Sequence, residues 1–189
     1  MFLIVFLIKI MIKIYKTKIL DCYELSFDNY SDKRGNFTKI FNNDFFYELN
    51  LNTVWKEEYI TTSKKNVIRG MHFQLPPFDH EKMVIPLSGS VMDVIIDLRK
   101  KSDTYLEVVS IKLDSNKNNA MYIPKGCAHG FLSLEDHSSL LYKVTSVYNQ
   151  EADSGILWSS IDFEWDIKTP ILSERDKSFS KIENYNSPF

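Results

Sequence analysis

Four histidines, His72, His80, His129 and His137, are the natural starting points for chemistry in this chain. Two of them sit beside glycine in strand-edge contexts, Arg69-Gly70-Met71-His72-Phe73-Gln74 and Pro124-Lys125-Gly126-Cys127-Ala128-His129-Gly130-Phe131. A divalent ion at such a place needs further histidine or carboxylate ligands close by to complete its set. Here Gly70 and Gln74 flank His72 at the alternate positions, so no metal is expected, although a site drawing on other carboxylates stays open. A neutral imidazole in a cavity has another use: with an ordinary pKa of about 6.5 it suits proton abstraction at neutral pH. Such a base needs an orienting carboxylate; a tyrosine on the far face of the substrate could return the proton, and a lysine could stabilise the developing enolate oxygen. Tyr142 and Lys82 are candidates for the last two roles, but spacing alone does not select them. Taken singly, a strand tyrosine is usually core or rim, a lysine solvated and a lone histidine structural.

The elements that must position these groups read as β-structure. Short runs of β-branched and aromatic residues recur from Ile14 to Trp158 with turn signals between them, as in an antiparallel sandwich or barrel. The clearest strands are expected at 82–87, 91–98, 108–113, 121–123 and 140–148, the first two joined by Ser88-Gly89-Ser90. In the second, Met92, Val94, Ile96 and Leu98 share one face, while Asp93 and Asp97 share the other with Val91 and Ile95. An acid among such neighbours implies a lined cavity or a buried partner. A short helix is expected over 41–49, and Ser173-Glu174-Arg175-Asp176 opens a helical turn.

At 189 residues the chain is the size of one domain. Its 44% hydrophobic, 25% charged and 14% aromatic residues are those of a folded globular protein, with aromatics favouring strands and ring-binding pockets. A net charge of -2 and the lack of a dense basic tract argue against nucleic acid as partner. Cys22 and Cys127 form no metal or disulfide pattern, which points to free thiols in a reducing, cytoplasmic setting. Residues 1–11 read as an apolar N-terminal extension ahead of a single domain over 12–189, with Met11 as a natural start and 13–20 as an alternating first strand. The apolar run falls short of the roughly 20 residues that span a bilayer and has no cleavage site, so no membrane partner is expected. A signal anchor is the rival reading; recovery of the protein in the membrane pellet would favour it.

P-x-G-x-x-H, as in Pro124 to His129, is typical of cupins, and from RGMHFQ onward the sequence resembles the dTDP-4-dehydrorhamnose 3,5-epimerase family. The matching stretches include Asp32-Lys33-Arg34-Gly35, Glu81-Lys82-Met83-Val84, Asp97-Leu98-Arg99, Leu141-Tyr142-Lys143, Gly155-Ile156-Leu157-Trp158 and Leu172-Ser173-Glu174-Arg175-Asp176. They keep the family's order over roughly residues 12–180. The resemblance implies an all-β cupin jelly-roll sandwich or barrel with a few short peripheral helices. It further implies a homodimer that exchanges strands, works without cofactor, and inverts C3 and/or C5 of a nucleotide-linked 4-keto-6-deoxy sugar. By the same resemblance His72 would be the base, oriented by Asp176, with Lys82 at the enolate and Tyr142 as the opposing acid. Arg34, Arg69, Gln74 and His129 would hold sugar and diphosphate.

Three places depart from the family pattern. Lys39 stands where a Glu is typical, Glu57-x-Tyr59-x-Thr61 replaces Q-x-N-x-S, and Val147 replaces a second tyrosine beside the retained Tyr148. These positions lie around nucleotide and sugar in the family, so Lys39, Glu57 and Tyr59 are expected to alter substrate choice, toward a GDP-linked 4-keto-6-deoxy sugar or a heptose used in capsule or lipopolysaccharide. The rival functions are a C3-only epimerase, a cupin 3,4-ketoisomerase and a non-catalytic sugar-binding cupin. The position of solvent deuterium and the identity of the product separate them.

Overall fold

A computed structural model describes residues 12–189; the apolar extension expected over 1–11 lies outside the described residues. In chain order the strands begin β1 (Ile12–Lys16), β2 (Tyr23–Phe27), β3 (Asn29–Asp32) and β4 (Gly35–Thr38), followed by helix α1 (Asn43–Glu48). The body continues through β5 (Glu57–Ser63), β6 (Ile68–Gln74), β7 (Lys82–Ser88), β8 (Ser90–Asp97) and β9 (Val108–Asp114). It closes with β10 (Asn119–Ile123), β11 (Cys127–Ser133), β12 (Ser138–Val144), β13 (Asp153–Gly155) and helix α2 (Glu174–Ser178). One sheet runs β1-β2-β10-β7-β12-β5, a second runs β13-β6-β11-β8-β9, and β3-β4 form a separate hairpin. Neighbouring named strands pair antiparallel, and the two sheets face each other as the expected jelly roll.

Alternation along the strands makes three apolar layers. Val84, Ile95, Leu113, Ile123, Phe131 and Leu140 meet between the sheets. Val94, Ile96, Ala128 and Leu132 point the other way and are covered by the C-terminal tail through Ile156, Ile161 and Trp165. The outer face of the six-stranded sheet, with Leu25, Met83 and Tyr122, is covered by Phe46 of α1 and Leu51. Each large apolar side chain so buried contributes roughly 1.5–3 kcal/mol, and the interior layer is where polar groups are therefore most costly.

Two expected strands stop early for visible reasons. The first ends at Lys16 rather than running to residue 20, because Thr17 Oγ1 accepts the Ile19 N–H at 3.1 Å and Asp21 takes a left-handed φ of 62°. The strand expected over 140–148 ends at Val144, where the chain bends and Asn149 N donates to Gln74 Oε1 at 2.7 Å. Ser88-Gly89-Ser90 joins strands of opposite sheets rather than forming a hairpin within one. Gly89 suits that corner: at φ +67°, a Cβ there would lie 2.6 Å from Ser138 Oγ.

α1 is too short to persist alone. Asn42 caps it by accepting the Phe45 N–H at 3.1 Å, and the Phe41 ring packs edge-on against Phe46 at 4.9 Å. α2 is capped by Ser173, whose Oγ accepts from Asp176 N at 3.1 Å, so the expected helical turn forms. That cap fixes the backbone from which Asp176 projects.

Candidate active site

Between the sheets lies a cavity of about 350 Å³, lined among others by Glu57, Tyr59, Arg69, His72, Gln74, Lys82, His129 and Tyr142. Its size suits a small organic ligand. It is lined from both sheets because inward positions of β5, β7 and β12 face inward positions of β6 and β11. His129 and His72 stand directly opposite each other on neighbouring strands.

A bulge in β6 makes this convergence work. Across β11, His129 pairs with His72 but Phe131 pairs with Arg69, so three steps along β6 match two along β11. Arg69 and His72, which strict alternation would send to opposite faces, therefore both line the cavity. Gly70 sits in the bulge at φ +138°, and a Cβ there would lie 2.4 Å from Gly130 Cα.

His72 Nε2 lies 2.9 Å from Asp176 Oδ1, and Gly70 N donates to Asp176 Oδ2 at 3.2 Å. An ionised carboxylate only accepts, so Nε2 carries the proton and Nδ1 is left as the basic nitrogen. Burial pushes the Asp176 carboxyl upward, but the hydrogen bond and charge of His72, the Gly70 N–H and the Ser173 hydroxyl outweigh it, and the net shift is downward. A second pair stands deeper: His129 Nε2 lies 2.6 Å from Asp93 Oδ1, with Asp93 fully buried. Asp93 is one of the two acids whose apolar neighbours implied a lined cavity or a buried partner; the other, Asp97, pairs with Arg99 Nε at 2.8 Å. Burial, followed in the opposite sense by Asp93, leaves the His129 value lowered.

Lys82, only 7% exposed, has its ammonium drawn down to about 8 by burial, with Asp93 and Asp153 pulling back upward. The Tyr142 phenol is pushed well up by burial, then by Tyr59 and Asp93, so it is a protonated donor at neutral pH. Tyr59, directly across the strand pair from Tyr142, stacks on it with ring centroids 4.7 Å apart. Among the described residues no three His, Cys, Asp or Glu side chains gather as metal ligands.

Arg34 and Lys39 do not line this cavity. Arg34 sits in the turn between β3 and β4 and forks onto Asp32, with Nη2 to Oδ2 at 2.6 Å. Gln74 does line it, yet its amide is engaged by protein: Nε2 donates to Phe78 O at 3.1 Å, and Oε1 accepts from Asn149 N. It thereby ties the loops after β6 and β12 to the cavity floor. Sequence reasoning gave no site role to His80, Ser146, Asp153 and Arg175, all in the lining. Arg175 reaches Asp153 at 2.7 Å, and its position next to Asp176 on a one-turn helix was the available signal. Burial first, then Lys82, lowers His80 to about 3, so that ring is neutral. Asp153 carried no signal in its surroundings in the chain.

The profile of the dTDP-4-dehydrorhamnose 3,5-epimerase family matches residues 16–184. The chain belongs to that family. A dTDP-4-dehydrorhamnose 3,5-epimerase from Shigella flexneri is 35% identical over 172 residues, 89% of this chain and 95% of that protein. The crystal structure of a dTDP-4-dehydrorhamnose 3,5-epimerase from Bacillus anthracis with TDP and PPi bound superposes with a TM-score of 0.89 at 31% identity, covering 91% of this chain and 100% of that one. A dTDP-6-deoxy-D-glucose-3,5-epimerase from Legionella pneumophila, in complex with dTDP-4-keto-L-rhamnose, gives a TM-score of 0.88 at 28% identity over 93% and 95% of the two chains. As a member of the dTDP-4-dehydrorhamnose 3,5-epimerase family, the chain is an isomerase, an epimerase acting on carbohydrate. Among its described residues no helix is long and apolar enough to cross a membrane.

Proposed function

We propose that this epimerase inverts C3 and C5 of a nucleotide-linked 4-keto-6-deoxy sugar, without a metal or other cofactor, in the synthesis of a surface polysaccharide. The observation that carries this is the His72–Asp176 pair at 2.9 Å on the wall of a cavity that also holds Lys82 and Tyr142. A ketone at C4 makes the hydrogens on C3 and C5 acidic. Nδ1 of His72 takes one of them, and Asp176 stabilises the imidazolium that forms. The ammonium of Lys82 compensates the charge gathering on the C4 oxygen. Tyr142 then returns a proton from the other face. Arg69 and Arg175, both in the lining, suit the diphosphate, since planar guanidinium forks match phosphate oxygens.

A second reading concerns the nucleotide. Glu57 and Tyr59 line the cavity, where a thymine would present a single N–H between two carbonyls to a carboxylate. Guanine presents N1–H and N2–H₂ side by side, a better match for Glu57. The GDP-linked sugar or heptose is thus the alternative substrate, and Lys39, outside this cavity, contributes nothing to it within one chain. NMR in heavy water with dTDP- and GDP-linked 4-keto-6-deoxy sugars tests both points by reporting turnover and the carbon labelled. His72→Ala and Tyr142→Phe should each cut inversion by about 10²-fold or more. Undiminished exchange in His72→Ala removes the base assignment, and turnover of the dTDP sugar alone removes the second reading.

The homodimer belongs to the same proposal. β5 is an outer strand of its sheet with Ile60 exposed, and the β3-β4 hairpin holds Arg34 away from its own cavity. A second copy pairing there would cover the edge and bring an arginine to the neighbouring site. A monomeric mass by light scattering at working concentration counts against it.

A further inference from the structure

Tyr59 occupies a position where the family pattern carries an asparagine, and its surroundings show what the larger side chain does. It lies opposite Tyr142 on the β5-β12 pair, with ring centroids 4.7 Å apart and planes inclined by 11°. On its other flank, Tyr142 meets the His129 ring at 6.1 Å and 62°, edge-on. The phenol of Tyr142 is thus held between one aromatic face and one aromatic edge, and Tyr59, His129 and Tyr142 all line the cavity. Tyr142 is 4% exposed while Tyr59 is 38% exposed. The outer ring is therefore only partly committed to the core, whereas the inner one is enclosed. Cross-strand aromatic pairs of this kind prefer defined ring geometries rather than loose contact.

We propose that Tyr59 is a positioning residue for inversion: its ring, not its hydroxyl, holds the phenol of Tyr142 at the angle that delivers a proton to the substrate face opposite His72. This rests on Tyr142 being the acid of the proposed reaction. In that reaction His72 removes the carbon-bound proton and the electron pair moves onto the C4 oxygen. Tyr142 then transfers its phenolic proton to the opposite face of the same carbon as the carbonyl re-forms. The imidazolium and phenolate left behind return to rest by proton exchange with water. Displacing Tyr142 leaves abstraction intact and slows delivery. The enolate then regains a proton from His72 on its original face, and after solvent exchange of that proton the sugar gains deuterium without changing configuration.

The ratio of exchange without inversion to inversion reads this directly. It is measured by NMR in heavy water with dTDP-4-keto-6-deoxyhexose or its GDP counterpart, whichever the wild type turns over. Tyr59→Val, which keeps strand propensity, should lower inversion about tenfold and raise that ratio at least about fivefold, whatever the accompanying change in KM. Tyr59→Phe should restore inversion and the ratio to near wild-type values. Tyr59→Leu provides the same comparison if a thermal melt shows Tyr59→Val to be unfolded. Equal loss of exchange and inversion in the non-aromatic variants, a rise in KM alone, or Tyr59→Phe behaving like Tyr59→Val would each overturn the proposal. Tyr142→Phe serves as the control. If it leaves the ratio at the wild-type value, the acid assignment itself fails, which is a different outcome from failure at Tyr59 alone.

Discussion

Burial draws the ammonium of Lys82 down to about 8, and the carboxylates of Asp93 and Asp153 only partly restore it. Two consequences of opposite sign follow. Below that value the residue is charged and able to compensate an enolate, so kcat should fall as pH rises through about 8; in Lys82→Met that limb should vanish and the rate drop by about 10² or more. Stability moves the other way. Between about 8 and the ordinary lysine value the unfolded chain binds more protons than the fold does, so unfolding free energy should rise with pH across that window. A pH–rate profile and denaturant titrations across the same range check the two signs separately. Asp176, by contrast, has a lowered value, so what it contributes to stability is present at neutral pH and lost as pH falls through its folded value. Asp176→Asn preserves the shape and removes the charge; it should lower deuterium exchange by roughly 10²-fold without shifting its carbon position.

The bulge in β6 is the element on which the site turns. Gly70→Ala forces a Cβ to within 2.4 Å of the Gly130 backbone at a φ that L side chains rarely adopt. Urea denaturation should show a loss of about 3 kcal/mol or more, together with loss of exchange as His72 shifts. This element also marks where sequence reading stops. β7, β8, β9 and both helices announce themselves, since alternation and capping residues are local properties of the chain. The bulge is not local: it exists only because β11 lies against β6, and its need for Gly70 comes from Gly130, sixty residues on. Lys82 and Tyr142 were equally unselectable by spacing. They lie close because β7 pairs with β12 in the register Val144↔Lys82 and Tyr142↔Val84. The family resemblance supplied their roles in advance of that register. It also assigned Arg34 and Lys39 to the substrate, and the cavity of a single chain does not include them.

At the scale of the molecule, the layers around the two sheets decide what solvent can reach. Burial pushes the Cys22 thiol up to about 12 and the Cys127 thiol upward as well, and both side chains are buried. A colorimetric thiol reagent should therefore label neither in the native protein and both on unfolding, with labelling kinetics that follow global opening. The C-terminal covering has a second effect. Asp176 comes from the tail packed over the outer face of the five-stranded sheet, 104 residues after the histidine it serves. A protease nick in the stretch between Trp165 and Ser173 would leave the two sheets in place, yet free the short helix that carries both the Asp176 carboxylate and the Arg175 guanidinium of the cavity wall. The protein would then keep its paired strands while losing its ability to invert carbon and the part of its grip on a diphosphate that Arg175 supplies. A titration of nucleotide binding and an activity assay of nicked material should show activity lost and affinity weakened, while circular dichroism still reports the strands.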